Sequence, residues 1–241
     1  MKHGIGTLAI LLALASCSTI QFYAPEIDAQ WTTTPVQTTA GRTSAAGVTV
    51  GLKSQVYSKV VGVGNLLAPA YEGSRTETWS IEGADGYKAT LEIVQNHLIF
   101  SGPMDKNVLS PNTTDLSKAQ TTLRLSDGQT VVETSLAGAS PVVDVSLAGV
   151  TLKPTYQGTE KGSVRDLSSW GIVMGVRVTQ GEKLVGYLSR SGQFAVVTPP
   201  GAPASSLAWG LVLALNQPHF EAMSIPKLVY DAAPGEVLSH S

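Results

Sequence analysis

Tyr87-Lys88-Ala89-Thr90-Leu91-Glu92-Ile93, placed directly after Asp85-Gly86, decides the class of fold. Tyr87, Ala89, Leu91 and Ile93 take alternate positions, with Lys88, Thr90 and Glu92 between them. Neighbouring side chains of a strand point to opposite faces, so this order makes one apolar face and one wetted face. Asp-Gly supplies the positive φ of a tight hairpin, and residues 75–82 form the arm before it. The same period recurs at Val48, Val50 and Leu52, and at Ile172, Met174, Val176 and Val178. Asp127-Gly128 separates residues 121–125 from 130–135, while Gln180-Gly181 and Ser191-Gly192 flank residues 183–189. Three hairpins follow from these turns. Further strands are expected at 97–101, 142–147, 193–198 and 227–230. Ser-Leu-Ala-Gly occurs at 135–138 and again at 146–149, which suggests hairpin arms with similar turns.

Helix is scarce in this reading. Leu207 to Leu215 is almost wholly apolar, but Gly210 interrupts it and Pro203 and Pro218 flank it. A fully buried central strand is preferred there over a short buried helix. Gly62 and Gly64 argue against a long helix in 55–67, and Thr114 or Asp115 is placed to cap a turn through Lys118. The expected fold is an all-β antiparallel sandwich or barrel of about ten strands.

Composition narrows the function. Of 241 residues, 43% are apolar and only 14% charged, and the net charge is −2. A chain this apolar is globular rather than disordered. With no basic run, a phosphate-binding nucleic-acid surface is excluded. The single cysteine cannot form an internal disulfide or a thiolate-rich zinc site.

That cysteine sits in the most specific motif of the chain. Lys2 forms a small basic region, and an apolar run from Ile5 ends in Leu14-Ala15-Ser16-Cys17. The run is too short to span a bilayer as a mature helix, and it has the length of a signal-peptide core. Leu14-Ala15-Ser16-Cys17 resembles the lipobox of bacterial lipoproteins. The resemblance covers roughly the first 17 residues and no family is recognised beyond them. It implies cleavage before Cys17, a diacylglyceryl group on its thiol and acylation of its new amino group. Two or three acyl chains make a stable membrane anchor. Ser18 rather than Asp follows the cysteine, a pattern that resembles outer-membrane sorting.

The expected order along the chain is a signal peptide at 1–16 and a lipidated tether at 17–46. A single β-domain follows at 47–235, with a short tail at 236–241. The tether assignment rests on a Thr-rich stretch in which Arg42 is the one charge between Thr32 and Thr43. Phe22, Tyr23, Ile27 and Trp31 interrupt it, and docking on the domain is preferred for them over a place at the lipid headgroups.

Catalytic signatures such as G-x-S-x-G, H-E-x-x-H and Walker sequences do not occur in the mature chain. His97, His219 and His240 have no spacing that supports a metal site, and their expected roles are structural or superficial. No catalytic residue, metal or cofactor is assigned. Asp85 and Asp127 are explained by turns, and Glu77, Glu92, Glu133 and Asp144 fall at expected outward strand positions. Asn112-Thr113-Thr114 is a sequon without meaning unless a dedicated pathway exists. Trp209 belongs to the core. Trp79 shares a strand face with Arg75, Glu77 and Ile81, an odd mixture for a core, and Trp170 follows Ser168-Ser169 in a loop. Trp79 and Ile81 pointing inward with the strand end exposed is preferred over a face that borders a binding surface, and Trp79 and Trp170 are the candidate contacts if a ligand or partner binds here.

The expected function is a lipid-anchored, non-enzymatic cell-envelope module that binds another envelope protein. The rivals are a module for a small apolar or glycan ligand and an envelope hydrolase. A central cavity favours the ligand, an exposed apolar patch favours the partner, and a Ser or carboxylate bonded to His97 or His219 in a cleft favours the enzyme.

Overall fold

A computed structural model of the protein describes residues 20–62, 70–101, 119–137, 144–202 and 205–223. The fold is all-β, with three antiparallel sheets and one buried helix. Seven strands make the largest sheet: β3 (Gln37–Thr39), β4 (Arg42–Ala45), β5 (Val48–Gly62), β6 (Ala70–Gly83), β7 (Lys88–Ser101), β8 (Gln120–Ser126) and β9 (Val131–Ala137), in that spatial order. It is a meander, each strand pairing with the next in sequence. A six-stranded sheet runs β10 (Val145–Leu147), β11 (Val150–Thr155), β14 (Gly175–Gln180), β15 (Lys183–Ser189), β16 (Ala195–Thr198) and β2 (Thr32–Pro35). The smallest sheet orders β1 (Gln21–Phe22), β12 (Gln157–Glu160) and β13 (Ser163–Asp166).

Alternation places the core as expected, except that Ile172 lies before β14 and is 44% exposed. Val48, Val50, Ile81, Leu91, Ile93, Leu123 and Leu125 of one large sheet meet Val150, Leu152, Val176, Val178, Val185, Leu188 and Val196 of the other. The six-stranded and seven-stranded sheets face each other across α1 (Ser206–Met223), which contacts both.

That helix corrects the strand expected at 207–215. From Ala208 to Leu215 every residue is buried, so no polar stripe marks the helical period and the pattern reads as a continuous apolar run. Its start has a conventional signal. Ser205 Oγ accepts from Ala208 N–H at 3.1 Å and donates to Gln180 Oε1 at 2.7 Å, while Ser206 Oγ donates to Asp85 Oδ1 at 2.9 Å. Gly210, counted against a helix, permits close packing. A Cβ built there would stand 2.2 Å from Ile81 Cγ2.

The stretch read as a tether is also corrected. Residues 21–45 supply four strands: β1 pairs with β12, β2 with β16, and β3 and β4 continue onto β5. Thr is at home on a half-exposed strand, so low charge and Thr richness mark sheet edges here rather than loose chain. The preferred docking of the aromatics holds: Phe22 and Trp31 lie against the Tyr187 ring at centroid distances of 5.7 and 5.9 Å.

All three expected hairpins form. In the first, Gly86 alone takes positive φ, at 86°, and Asp85 Oδ1 accepts from Tyr87 N–H at 3.0 Å. Four additional turns carry positive φ at two successive residues: Ala40-Gly41, Ala46-Gly47, Ala148-Gly149 and Lys161-Gly162. This is the type I′ pattern, in which Gly takes the second place. The second Ser-Leu-Ala-Gly therefore makes a tight turn, whereas Ser135–Ala137 is the end of β9. The strand expected at 227–230 and the turn at 114–118 lie outside the described residues.

Candidate functional site

The odd face of β6 resolves first. Trp79 is 3% exposed and packs in the main core, so it is not a surface contact. Glu77 is buried too, against the outward position expected for it. Its carboxylate accepts from Trp79 Nε1 at 3.2 Å and from Gln55 Nε2 at 2.8 Å, and Arg75 Nε stands 3.4 Å away. Arg75 also donates to Gln95 Oε1 on β7. The inner face thus changes from apolar to polar along the same strands. The mixture that suggested a binding surface is an internal network, which a buried carboxylate requires.

Trp170 has the opposite setting. It ends a short 3₁₀ turn, Ser168–Trp170, and is 73% exposed. Val164 before it and Ile172 after it are also exposed. The turn is well fixed. Leu167 is buried beneath it, its carbonyl accepts from Trp170 N–H at 3.1 Å and Ile172 N–H at 3.3 Å, and Asp166 Oδ1 accepts from Ser168 N–H at 2.8 Å. The Ser168 N–H bond, helped by the Ser168 side chain, holds the Asp166 carboxyl below its ordinary pKa.

Beside this turn lies an open groove of about 290 Å³, bordered by Tyr23, Glu26, Tyr156, Asp166, Arg177 and Tyr187. The N-terminal segment, the link between β11 and β12, and strands β13, β14 and β15 bring these residues together. Burial is the main influence on the Tyr187 hydroxyl and raises its pKa; Arg177 nearby pulls it down, and Glu26 pushes it up. Arg177 Nε and Thr155 Oγ1 are buried with no hydrogen-bond partner, an arrangement that leaves polar capacity at the groove wall. Rings, one guanidinium and carboxylates in one depression suit a polar ligand with several hydroxyls. Nothing local marks these residues in the sequence, because the groove joins positions more than 160 apart.

His97 sits on β7 in the left-handed region at φ 58°, where the β6–β7 register shifts. Its Nδ1 lies 2.7 Å from Glu72 Oε1, and both side chains are about half exposed on the sheet surface. Neither lines the groove. Cys17, Asn112 and His240 lie outside the described residues, as does the side chain of His219. Among the described residues, no three His, Cys, Asp or Glu gather as a metal cluster, and no helix is long and apolar enough to cross a membrane. No protein family, curated protein or solved structure matches the chain.

Proposed function

We propose that this is a lipid-anchored bacterial cell-envelope protein whose β-domain is a non-enzymatic module for binding another envelope protein. Cys17 carries the lipid, and the outer membrane is its place by the pattern at Ser18. The observation that carries the reading is the filling of the space between the two large sheets by α1, with Trp209, Leu211, Leu213 and Leu215 all 2% exposed or less. A filled interior directs recognition to the outside.

The long strands β5, β6 and β7 provide the partner surface. β4 pairs with β5 only as far as Gly51, so the following length of β5 has one edge without a strand partner among the described residues. Val56, 42% exposed, lies on that length. Such an edge accepts an added strand, and the bulges in the β5–β6 register restrain self-association. A photo-crosslinking residue at Val56 in the full-length protein, activated in intact cells, is expected to yield one reproducible protein adduct. A ladder of unrelated adducts, or none, overturns the partner reading.

The groove at Arg177 and Tyr187 favours a second reading, in which the domain binds a glycan. A thermal-shift screen with envelope sugars separates the two. Saturable stabilisation that is lost in Arg177→Met, without an adduct at Val56, selects the glycan.

A further inference from the structure

We propose that the three-stranded sheet and the turn after it form a second membrane contact, with Trp170 and Ile172 seated among the lipid headgroups. This rests on the reading of Cys17 as the lipid attachment site.

The first argument is reach. Gln21, the first residue of β1, follows Cys17 by four positions, and fully extended chain covers at most about 3.6 Å per residue, so β1 begins within roughly 14 Å of the Cys17 Cα. The polar headgroup layer of a bilayer is itself about 5–8 Å deep on each side. The sheet containing β1 is therefore held at the membrane surface. Within it, Gln21 pairs with Thr159 and Thr159 with Val164, which puts Val164 two strand spacings away, roughly 10 Å.

The second argument is what that sheet exposes. Every residue of β13 is exposed. Among large apolar side chains open to solvent, Val56 and Val131 are isolated in sequence, whereas Val164, Trp170 and Ile172 fall in one short stretch at 51%, 73% and 44% exposure. Packing does not require the indole: buried Leu167 and backbone hydrogen bonds fix the turn, and Trp170 projects from it. A rigid turn presenting Trp and Ile beside a lipid anchor matches the chemistry of the interface, where an indole places its ring among acyl carbons and its N–H in the wet layer. The acyl chains on Cys17 supply the retention, so this contact orients the domain on the surface and does not have to hold it there. The charges nearby are mixed. Arg165 pairs with Glu160 at 3.6 Å, and Lys161 and Asp166 are of opposite sign, so the contact is apolar and does not depend on anionic lipid.

The test uses the full mature lipoprotein in phosphatidylcholine vesicles whose acyl chains are brominated near the headgroup. In a Trp31→Phe background, which removes the partly buried indole of the N-terminal segment, Trp170 is expected to be quenched strongly, while Trp79 and Trp209 are shielded by burial. Trp170→Phe should remove most of the quenchable emission, and adding phosphatidylglycerol should leave the Trp170 quenching unchanged within about 20%. Intact mass on the same sample reports the acyl groups on Cys17. An unmodified Cys17 overturns the attachment reading and this proposal with it. Acylated Cys17 with equal quenching before and after Trp170→Phe in that background overturns the membrane face alone.

Discussion

Trp209 and Trp170 are the same side chain in opposite settings. The first is 2% exposed in a helix whose stretch from Ala208 to Leu215 is buried on every side; the second is 73% exposed on a turn that its own backbone holds together. Both regions carry apolar residues that look alike as composition. Only burial tells which of them folds the protein and which is left for something outside it. An apolar residue inside contributes through area removed from water and through contacts that no solvent replaces. A lone apolar residue outside is ordinary, but several exposed in one short stretch, as Val164, Trp170 and Ile172 are, point to a contact surface.

The comparison can be broken most directly at its buried end. Trp209→Ala should destabilise the domain by about 3–5 kcal/mol, the cost of deleting a buried aromatic and leaving its cavity. Urea unfolding followed by circular dichroism reads this as a lower midpoint at constant slope. A loss below about 1 kcal/mol would mean that α1 is not the organiser of both large sheets.

A smaller effect is expected at the hairpins, where the cost is local. Gly86 and Gly128 hold φ at 86° and 88°, and a Cβ at either would meet nothing within 4 Å. Space is therefore no obstacle, and only backbone strain opposes a side chain. Gly86→Val and Gly128→Val should each cost roughly 1–2 kcal/mol. Unchanged melting temperatures in both variants would show that these turns do not hold the register of the seven-stranded sheet.

How much of this was legible follows from the kind of signal each region leaves. β7 and β15 were readable because half-buried strands alternate and because their turns contain Asp-Gly or another residue followed by Gly. Ala40-Gly41 and Ala46-Gly47 make equally tight turns, yet Ala gives no sign of favouring positive φ, so β3 and β4 disappeared into the supposed tether. The helix failed for a different reason. Complete burial erases the 3.6-residue period, and the one local clue was Ser205 capping the run after Pro203. The inward position preferred for Trp79 holds, whereas Glu77 and Arg75 on its face looked like an exposed strand end or binding surface and instead satisfy each other and the indole inside. Trp170 stood in a loop by sequence and stands exposed in the structure, but the groove beside it depends on contacts between the N-terminal segment and β14–β15 that no local pattern encodes.

Acid sharpens the same contrast without any substitution. Asp85 and Asp127 have pKa values below the usual 3.8, mainly because their carboxylates accept backbone N–H bonds, from Tyr87 and from Thr130 and Gln129 respectively. A depressed folded pKa means that the unfolded chain takes up protons first. The stability these groups contribute is present above about 3.9 and is lost as pH falls through their folded values. Melting temperature should therefore be flat from neutrality down to about pH 5 and should decline below about pH 4. Asp85→Asn and Asp127→Asn together should flatten that decline. A decline that begins near pH 6, or one left unchanged in the double variant, would overturn the assignment to these two carboxylates.

The smallest folding effect belongs to the exposed end of the comparison, and its smallness is the informative result. Trp170→Ser removes an indole that is mostly in water, from a turn whose bonds run between backbone atoms and the buried Leu167. Substitutions at such positions usually change stability by no more than about 0.5 kcal/mol. Melting and urea midpoints of the purified variant should therefore overlay those of wild type. If they do, any change in how the variant associates with membranes or envelope components can be assigned to the lost contact and not to a damaged fold. If Trp170→Ser instead lowers the midpoint by more than about 1 kcal/mol, the indole packs against the domain after all, and the distinction between Trp209 as core and Trp170 as contact collapses.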